Sequence, residues 1–174
     1  MKDGRMVIML CIALCFALAS GALAGDTEIS KKDLPAAVLT AFEKAYPKAE
    51  IKGLTKEKEN GKTFYEIESV DGKLSRDLLY LADGTVVEIE EGVPPGDLPA
   101  SVKAAVGKEH PQGKIVKSEK VTRGSEVTYA FQVKSGKATY GMAVAPDGTV
   151  IKNQKAGSEK GGKEAKEEKD EKED

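Results

Sequence analysis

The sequence predicts an α+β fold made of two tandem repeats, each with one helix packed on a four-stranded antiparallel meander sheet. The text that begins at Asp33 matches the text that begins at Asp97 without a gap, an offset of 97 − 33 = 64 positions. Each copy starts with apolar residues at helical spacing and continues with the alternation that is typical of strands. Pairs ending in glycine, which favour tight turns between strands, recur in the same order in both copies.

A match that holds at one fixed offset is the signature of a duplicated structural unit. We therefore predict an internal duplication and divide the chain accordingly. The predicted parts are a signal peptide (1–24), a leader (25–32), a first repeat (33–91), a Pro/Gly linker (92–96), a second repeat (97–155) and a disordered charged tail (156–174).

The first residues have the pattern of an export signal. Lys2 and Arg5 precede an apolar run from Met6 to Ala19, and small residues follow up to Ala24. The run is about 14 residues long, whereas a membrane span needs about 20. We expect cleavage near Ala24, a periplasmic or secreted bacterial protein, and no stable membrane anchor after cleavage.

Both cysteines, Cys11 and Cys15, lie in this segment. Lipid attachment at one of them is the weaker alternative, because bulky residues precede each cysteine. The processed chain would then contain neither a disulfide nor a thiol. At the other end, the tail has dense mixed charge and no branched aliphatic residue, which is typical of a segment that does not order.

Each repeat is expected to open with a helix. Asp33-Leu34-Pro35 is a suitable start, since proline fits the first turn and an acidic group favours the helix dipole. The helices should end before Pro47 and Pro111, because a residue before proline resists the helical conformation. The apolar stripes are Leu34, Val38, Ala41, Phe42 and Ala45 in the first copy, and Leu98, Val102, Ala105 and Val106 in the second.

Four strands should follow each helix, at 51–58, 63–70, 73–81 and 86–90 in the first copy. The sequence Asp-Gly-Thr-Val at 83–86 returns at 147–150, and we interpret it as a hairpin turn that restarts a strand. A calcium loop would need oxygen donors at alternating positions, and these stretches lack them.

The two copies also indicate which sheet face packs on the helices, because four positions stay large and apolar in both while their neighbours change. They are Tyr65, Ile67, Leu78 and Tyr80, aligned with Tyr129, Phe131, Met142 and Val144. The opposite face is more apolar than contact with water requires, and we interpret it as a candidate binding surface. Its predicted residues are Phe64, Glu66, Leu79, Leu81, Thr128, Ala130 and Ala143. The alternative is that the two sheets bury these side chains against each other or form one continuous sheet.

Composition argues against several kinds of chemistry. A formal net charge of −2 gives no basic surplus for nucleic acid. The single histidine, His110, aligns with Tyr46 before a proline and is expected to cap or pack the helix end. We predict no catalytic, cofactor-binding or metal-binding residue. The strand carboxylates have different residues at the aligned positions of the second copy, so we interpret them as solvated surface; they are Glu66, Glu68, Glu88, Glu90 and Glu91.

Three stretches, "LPAAVLTAFEKAYPKAEI", "FYEIE" and "YLADGTVVE", echoed by "LPASVKAAVGKEHPQGKI" and "APDGTVI", carry a family resemblance. The chain resembles the PepSY-like, β-lactamase-inhibitor-like family across almost all of its length before the tail. The resemblance implies an exported bacterial protein with tandem α/β modules and a non-enzymatic binding or inhibitory role.

We therefore predict a module that binds a protein or peptide partner in the envelope, such as a protease. Two alternatives stay open: an envelope protein that binds a small ligand or a cation, and, less favoured, a carboxylate-dependent hydrolase.

Overall fold

The computed structural model describes residues 27–59 and 61–156. The predicted signal peptide and all of the predicted tail except its first residue lie outside them. The first half contains β1 (Thr27–Glu28), α1 (Ala36–Ala45), β2 (Glu50–Glu59), β3 (Lys62–Asp71), β4 (Leu74–Tyr80) and β5 (Val86–Gly92). The second half contains α2 (Ala100–Glu109), β6 (Lys114–Arg123), β7 (Glu126–Ser135), β8 (Ala138–Val144) and β9 (Val150–Lys155). No helix among these residues has the length and apolar character to cross a membrane.

All nine strands form one antiparallel sheet in the order β1 to β9. The predicted fold class, with a four-stranded sheet in each repeat, is therefore wrong. The halves join because the end of β5 pairs with β6, from Ile89 opposite Thr122 to Gly92 opposite Glu119. A strand edge has unpaired N–H and C=O groups, and this pairing satisfies them on β5 and β6 at once.

The strand registers of the two halves correspond position by position. Tyr65 lies opposite Tyr80, and Tyr129 lies opposite Val144, each residue being 64 positions further along (129 − 65 = 64; 144 − 80 = 64). The leader also contributes a strand that the sequence did not predict, because Thr27 and Glu28 pair with β2. The duplication itself, and the domain boundaries drawn from it, remain predictions.

The helices end as predicted but begin later than Asp33. Asp33 belongs to a 3-10 turn, where its Oδ2 accepts the N–H of Ser30 at 3.3 Å. The α-helix starts after Pro35 and ends at Tyr46, whose N–H donates to the carbonyl of Phe42 at 2.8 Å. The sequence therefore correctly indicated a helix start near Pro35, but Asp33 belongs to the 3-10 turn before the α-helix and not to the α-helix itself.

Both helices pack on the same face of the sheet, which we call the helix face. One apolar cluster lies under each helix, and the predicted core residues Ile67, Leu78 and Tyr80 have no exposed surface. The prediction of the helix-packed face is therefore confirmed. The clusters are Leu34, Val38, Phe42, Leu54, Ile67, Leu78 and Tyr80 in the first half, and Leu98, Val102, Val106, Phe131, Val133, Met142 and Val144 in the second.

The repeated Asp-Gly-Thr-Val sequence forms turns that rest against the helices. The connection spans 81–85, longer than the predicted tight turn, and Asp83 Oδ1 accepts the N–H of Thr85 at 2.9 Å. The hydrogen bonds from the backbone and the side chain of Thr85 lower the pKa of Asp83. Gly84 has φ +87°, and a β-carbon there would lie 2.7 Å from the carbonyl oxygen of Ala37 in α1. The glycine is thus required both by its backbone angle and by the closeness of the helix.

We predict that Gly84→Ala destabilises the protein more than Gly72→Ala. Gly72 also has positive φ, +63°, but a β-carbon added there would have no atom within 4 Å. The control should therefore cost about 1 kcal/mol for the left-handed backbone, and Gly84→Ala should cost about 3 kcal/mol because of the added clash. Urea unfolding measures both, and equal losses would show that α1 does not constrain the turn.

Candidate functional site

The sheet face that points away from both helices is called here the outer face. The strand registers place six of the seven predicted site residues on it, with Glu66 opposite Leu79 and Ala130 opposite Ala143, whereas Leu81 follows the end of β4 and has no strand partner. The seven residues form two groups. Phe64, Glu66, Leu79 and Leu81 belong to β3, β4 and the residue after it, whereas Thr128, Ala130 and Ala143 belong to β7 and β8. Strands β5 and β6 lie between the groups, so the surface is continuous only through residues that the sequence analysis did not select.

The apolar members of the outer face are more buried than a surface in contact with water would be. Phe64 is 4 % exposed, Leu79 5 % and Ala143 1 %, while Glu66, Leu81 and Thr128 are half-buried. Neither cluster under the helices includes an outer-face residue, and Val121 and Ala130 form a small cluster of their own. Within the described residues, the outer face therefore buries its side chains among themselves and not beneath a helix.

Carboxylates are concentrated on the outer face of the first half and at its junction with the second. By strand register, the outer-face acids of the first half and of the junction include Glu57, Glu66, Glu68, Asp77, Glu88, Glu90 and Glu119. Glu88, Glu90 and Glu119 are only 4 %, 6 % and 3 % exposed. Arg123 pairs with Glu88 and Lys117 pairs with Glu119, the latter at 2.7 Å.

The prediction that the strand acids are solvated surface is therefore wrong for Glu88 and Glu90. Strand β6 covers the edge of β5, which the predicted two-sheet arrangement would have left open. Glu91 lies on the helix face, where its Oε1 contacts the Nε of buried Arg76 at 3.0 Å.

Crowding changes the ionisation of two of these acids. Burial, followed by repulsion from Glu57, Asp77 and Glu68, raises the pKa of Glu66 to about 8. Burial also raises the pKa of Asp77 to about 6, with repulsion from Glu119 adding to the effect and the Lys117 cation opposing it. Near neutral pH, Glu66 therefore carries a proton and can donate a hydrogen bond.

Three carboxyl groups meet where the two halves join. Oxygen atoms of Asp77, Glu90 and Glu119 lie within 4.8 Å of one another. They come from β4, β5 and β6, and Asp77 lies directly opposite Glu90. The sequence analysis missed Asp77 and Glu119 because only the pairing of β5 with β6 brings them together. The abundance of acids in the sequence was a signal that some of them could cluster, but their spacing did not indicate which ones.

The histidine has the packing role that the sequence predicts. His110 ends α2, is 8 % exposed, and its ring centre lies 4.6 Å from that of Tyr140. Its Nε2 lies 3.0 Å from Oδ1 of Asn153, whose Nδ2 donates to Glu109. Because that amide nitrogen is engaged, Oδ1 is the acceptor and Nε2 carries the proton.

We predict that Glu66→Gln reduces the loss of stability on going from pH 5 to pH 8. The folded state keeps a proton on Glu66 up to about pH 8, whereas the unfolded chain releases it near the ordinary pKa of 4.5. The free energy of unfolding therefore falls through this window, and glutamine removes that contribution. Urea unfolding at both pH values tests the idea, with the exposed Glu126→Gln as control. The pKa assignment fails if Glu66→Gln has the same pH dependence as the control.

Comparison with solved structures shows what this fold is similar to. A DUF2874 family protein from Bacteroides uniformis has a TM-score of 0.61 and 18% identity, covering 72% of this chain and 92% of its own. A protein from Bacteroides eggerthii, described as "putative periplasmic proteins", has a TM-score of 0.60 and 21% identity, with coverages of 70% and 88%. A BLIP-like protein from Bacteroides fragilis has a TM-score of 0.55 and 13% identity, with coverages of 75% and 92%. At these identities the likeness shows the fold alone.

No curated protein matches the chain. The family model described as "Putative beta-lactamase-inhibitor-like, PepSY-like" matches residues 24–88 and again residues 70–152. The two matches together cover both helices, strands β1 to β8 and the first half of β9. The chain therefore belongs to the PepSY-like, β-lactamase-inhibitor-like family.

Proposed function

We propose that this protein is an exported, non-enzymatic binding module whose outer face docks a protein or peptide partner in the bacterial envelope. One observation carries the proposal: α1 and α2 both pack on the helix face, while no helix of the described residues packs on the outer face, where carboxylates gather in the first half and at the junction. A sheet stabilised from one side leaves its other side available for binding.

The chemistry of the outer face fits a protein partner. Interfaces combine a mostly apolar centre with polar groups that fix orientation. Here the apolar side chains of Phe64, Leu79 and Val121 are buried beneath the surface. The more accessible groups around them are the carboxyl groups of Glu66, Glu68 and Asp77. Charge complementarity then favours a partner that presents lysine or arginine. The description of the family as β-lactamase-inhibitor-like supports inhibition or regulation of a secreted or envelope protein as the form this binding takes, and we propose a protease as one such target.

Two clefts of the described residues each have a single carboxylate in their lining. A cleft of about 560 Å³ below the end of α1 is lined by Phe42, Tyr46 and Ile51, with Glu43 as its one carboxylate. Another, of about 460 Å³ beside β1, has Asp33 as its one carboxylate. Neither of these two clefts therefore holds the pair of carboxylates that carboxylate-dependent hydrolysis needs in one site.

We propose the periplasm or the secreted fraction as the location, with cleavage after Ala24.

We predict that the double variant Glu66→Lys/Thr128→Arg loses its partner. Each half then places a cation on the outer face, so binding should be at least about tenfold weaker. The immobilised processed protein is exposed to the envelope fraction of its native bacterium, and retained proteins are identified and titrated.

The matched control is Thr40→Lys/Ala104→Arg, which adds the same two positive charges near neutral pH, where Glu66 is protonated, on exposed positions of the two helices. Outer-face docking is contradicted if both variants retain the same proteins. It is also contradicted if neither the variants nor the unaltered protein retain any protein.

The second candidate is cation binding, because the oxygens of Asp77, Glu90 and Glu119 converge within 4.8 Å. Calcium prefers several carboxylate oxygens. If it binds there, millimolar calcium should raise the melting temperature in a concentration-dependent manner. Asp77→Asn should abolish the shift, and Asp71→Asn in an exposed turn should keep it. A melting temperature that does not respond to calcium would remove this candidate.

A further inference from the structure

Lysines are concentrated at the end of the sheet where β9 finishes. Lys134 lies directly opposite Lys114 in the pairing of β7 with β6, and Lys137 lies in the turn after β7. All three are exposed, as is Lys117 further along β6. Lys117 pairs with buried Glu119, whereas no ion pair of the other three is found among the described residues. We call these four lysines the lysine end.

The fold does not require this concentration of positive charge. Glu50 and Val70, the equivalents 64 positions earlier, lie opposite each other as Lys114 and Lys134 do (114 − 50 = 64; 134 − 70 = 64). Like charges directly opposite each other on neighbouring strands are destabilising. The first half avoids that cost, whereas the second half has a lysine pair that a negatively charged neighbour would stabilise.

The chain leaves the described residues beside these lysines. The N–H of Ala156 donates to the carbonyl oxygen of Thr139 at 2.8 Å, and Thr139 lies opposite Lys134. A row of residues therefore leads from Ala156 across β8 and β7 to Lys114. Neighbouring strands are about 4.8 Å apart, so this row is about 14 Å long.

The residues that continue from Ala156 have the opposite net charge. Residues 164–174 contain seven acidic side chains and three lysines, which gives a net charge of −4 (3 − 7 = −4). An extended chain advances about 3.3 Å per residue, so residue 164 can lie up to about 26 Å from Ala156. The segment 157–174 is therefore long enough to bring its acids to every lysine of the row. The tether gives these acids a local concentration on the order of millimolar at the lysine end.

We propose that the segment 157–174 docks on the lysine end of its own chain, where its aspartate and glutamate side chains form ion pairs with Lys114, Lys134 and Lys137. Exposed ion pairs are individually weak, so the contact depends on several of them together and on the tether. Salt should weaken it, because exposed charges are screened.

This inference does not depend on the proposed function. Partner docking is proposed from the acids of the first half and the junction, whereas the segment is proposed to contact lysines of the second half. Either can fail while the other stands.

The test is a nitroxide spin label attached to the variant Ala165→Cys, which broadens the amide NMR signals of residues close to it. The tether alone brings the label near the lysine end, so the charge dependence of the broadening decides. In the background Lys114→Gln/Lys134→Gln, the broadening at the Lys137 amide should fall at least about twofold, and about 0.5 M salt should do the same, because both weaken ion pairing.

The matched control is Lys44→Gln/Lys108→Gln, which removes the same charge from exposed positions of the two helices and should leave the broadening unchanged. Circular dichroism shows that each variant is folded. The processed protein is used; where intact mass shows that Cys11 and Cys15 remain, both are replaced by serine.

Two results would overturn the proposal. One is equal broadening in the lysine variant and in the control, with no response to salt. The other comes from a mixture in which one copy carries the spin label and a second copy carries the isotope label for NMR. Broadening of the same size in that mixture would show that the segment docks on another copy and not on its own chain.

Discussion

The pairing of β5 with β6 is the constraint on which the arrangement of the molecule depends. Four residue pairs join the halves into one sheet, and they are supported by charges on the helix face. Glu91 contacts buried Arg76 from the same half at 3.0 Å and Lys120 from the second half at 3.6 Å. The linker is fixed to β6 as well, since Ser118 donates a hydrogen bond from its Oγ to the carbonyl of Val93. Because the halves cannot turn independently of this joint, their outer faces form one surface.

The features that could be predicted from the sequence are those that depend on residues close together in the chain. The helix ends at Tyr46 and His110 follow from the next proline, and the core face follows from alternation that persists in both copies. The continuous sheet could not be predicted in this way, because no local pattern states which distant strand edge meets β5. The cluster of Asp77, Glu90 and Glu119 was missed for the same reason. Periodicity assigns a residue to a face, but only long-range pairing decides its neighbours.

Comparison of equivalent positions explains the single histidine better than its own sequence context does. In the first half, the guanidinium of Arg76 lies 4.2 Å from the ring centre of Tyr46. In the second half, the equivalents 64 residues later are Tyr140 and His110, whose ring centres are 4.6 Å apart. Each pair combines a tyrosine with a nitrogen-rich side chain, with the two positions exchanged. A tyrosine as the counterpart of His110 is thus one half of a paired substitution, and it agrees with packing as the role of both.

The same comparison separates what the fold needs from what it only tolerates on the outer face. Glu66, Glu68, Asp77 and Glu90 have Ala130, Gln132, Gly141 and Gln154 as their equivalents 64 positions later. The second half adopts corresponding strand registers without these acids, so the sheet does not require them. Their crowding has a cost, seen in the raised pKa values of Glu66 and Asp77. Residues that a scaffold can replace, and that reduce its stability where they stand, are typical of surfaces kept for binding. The acids of the first half, more than the apolar residues shared by both halves, are therefore where the specificity of this protein should be sought.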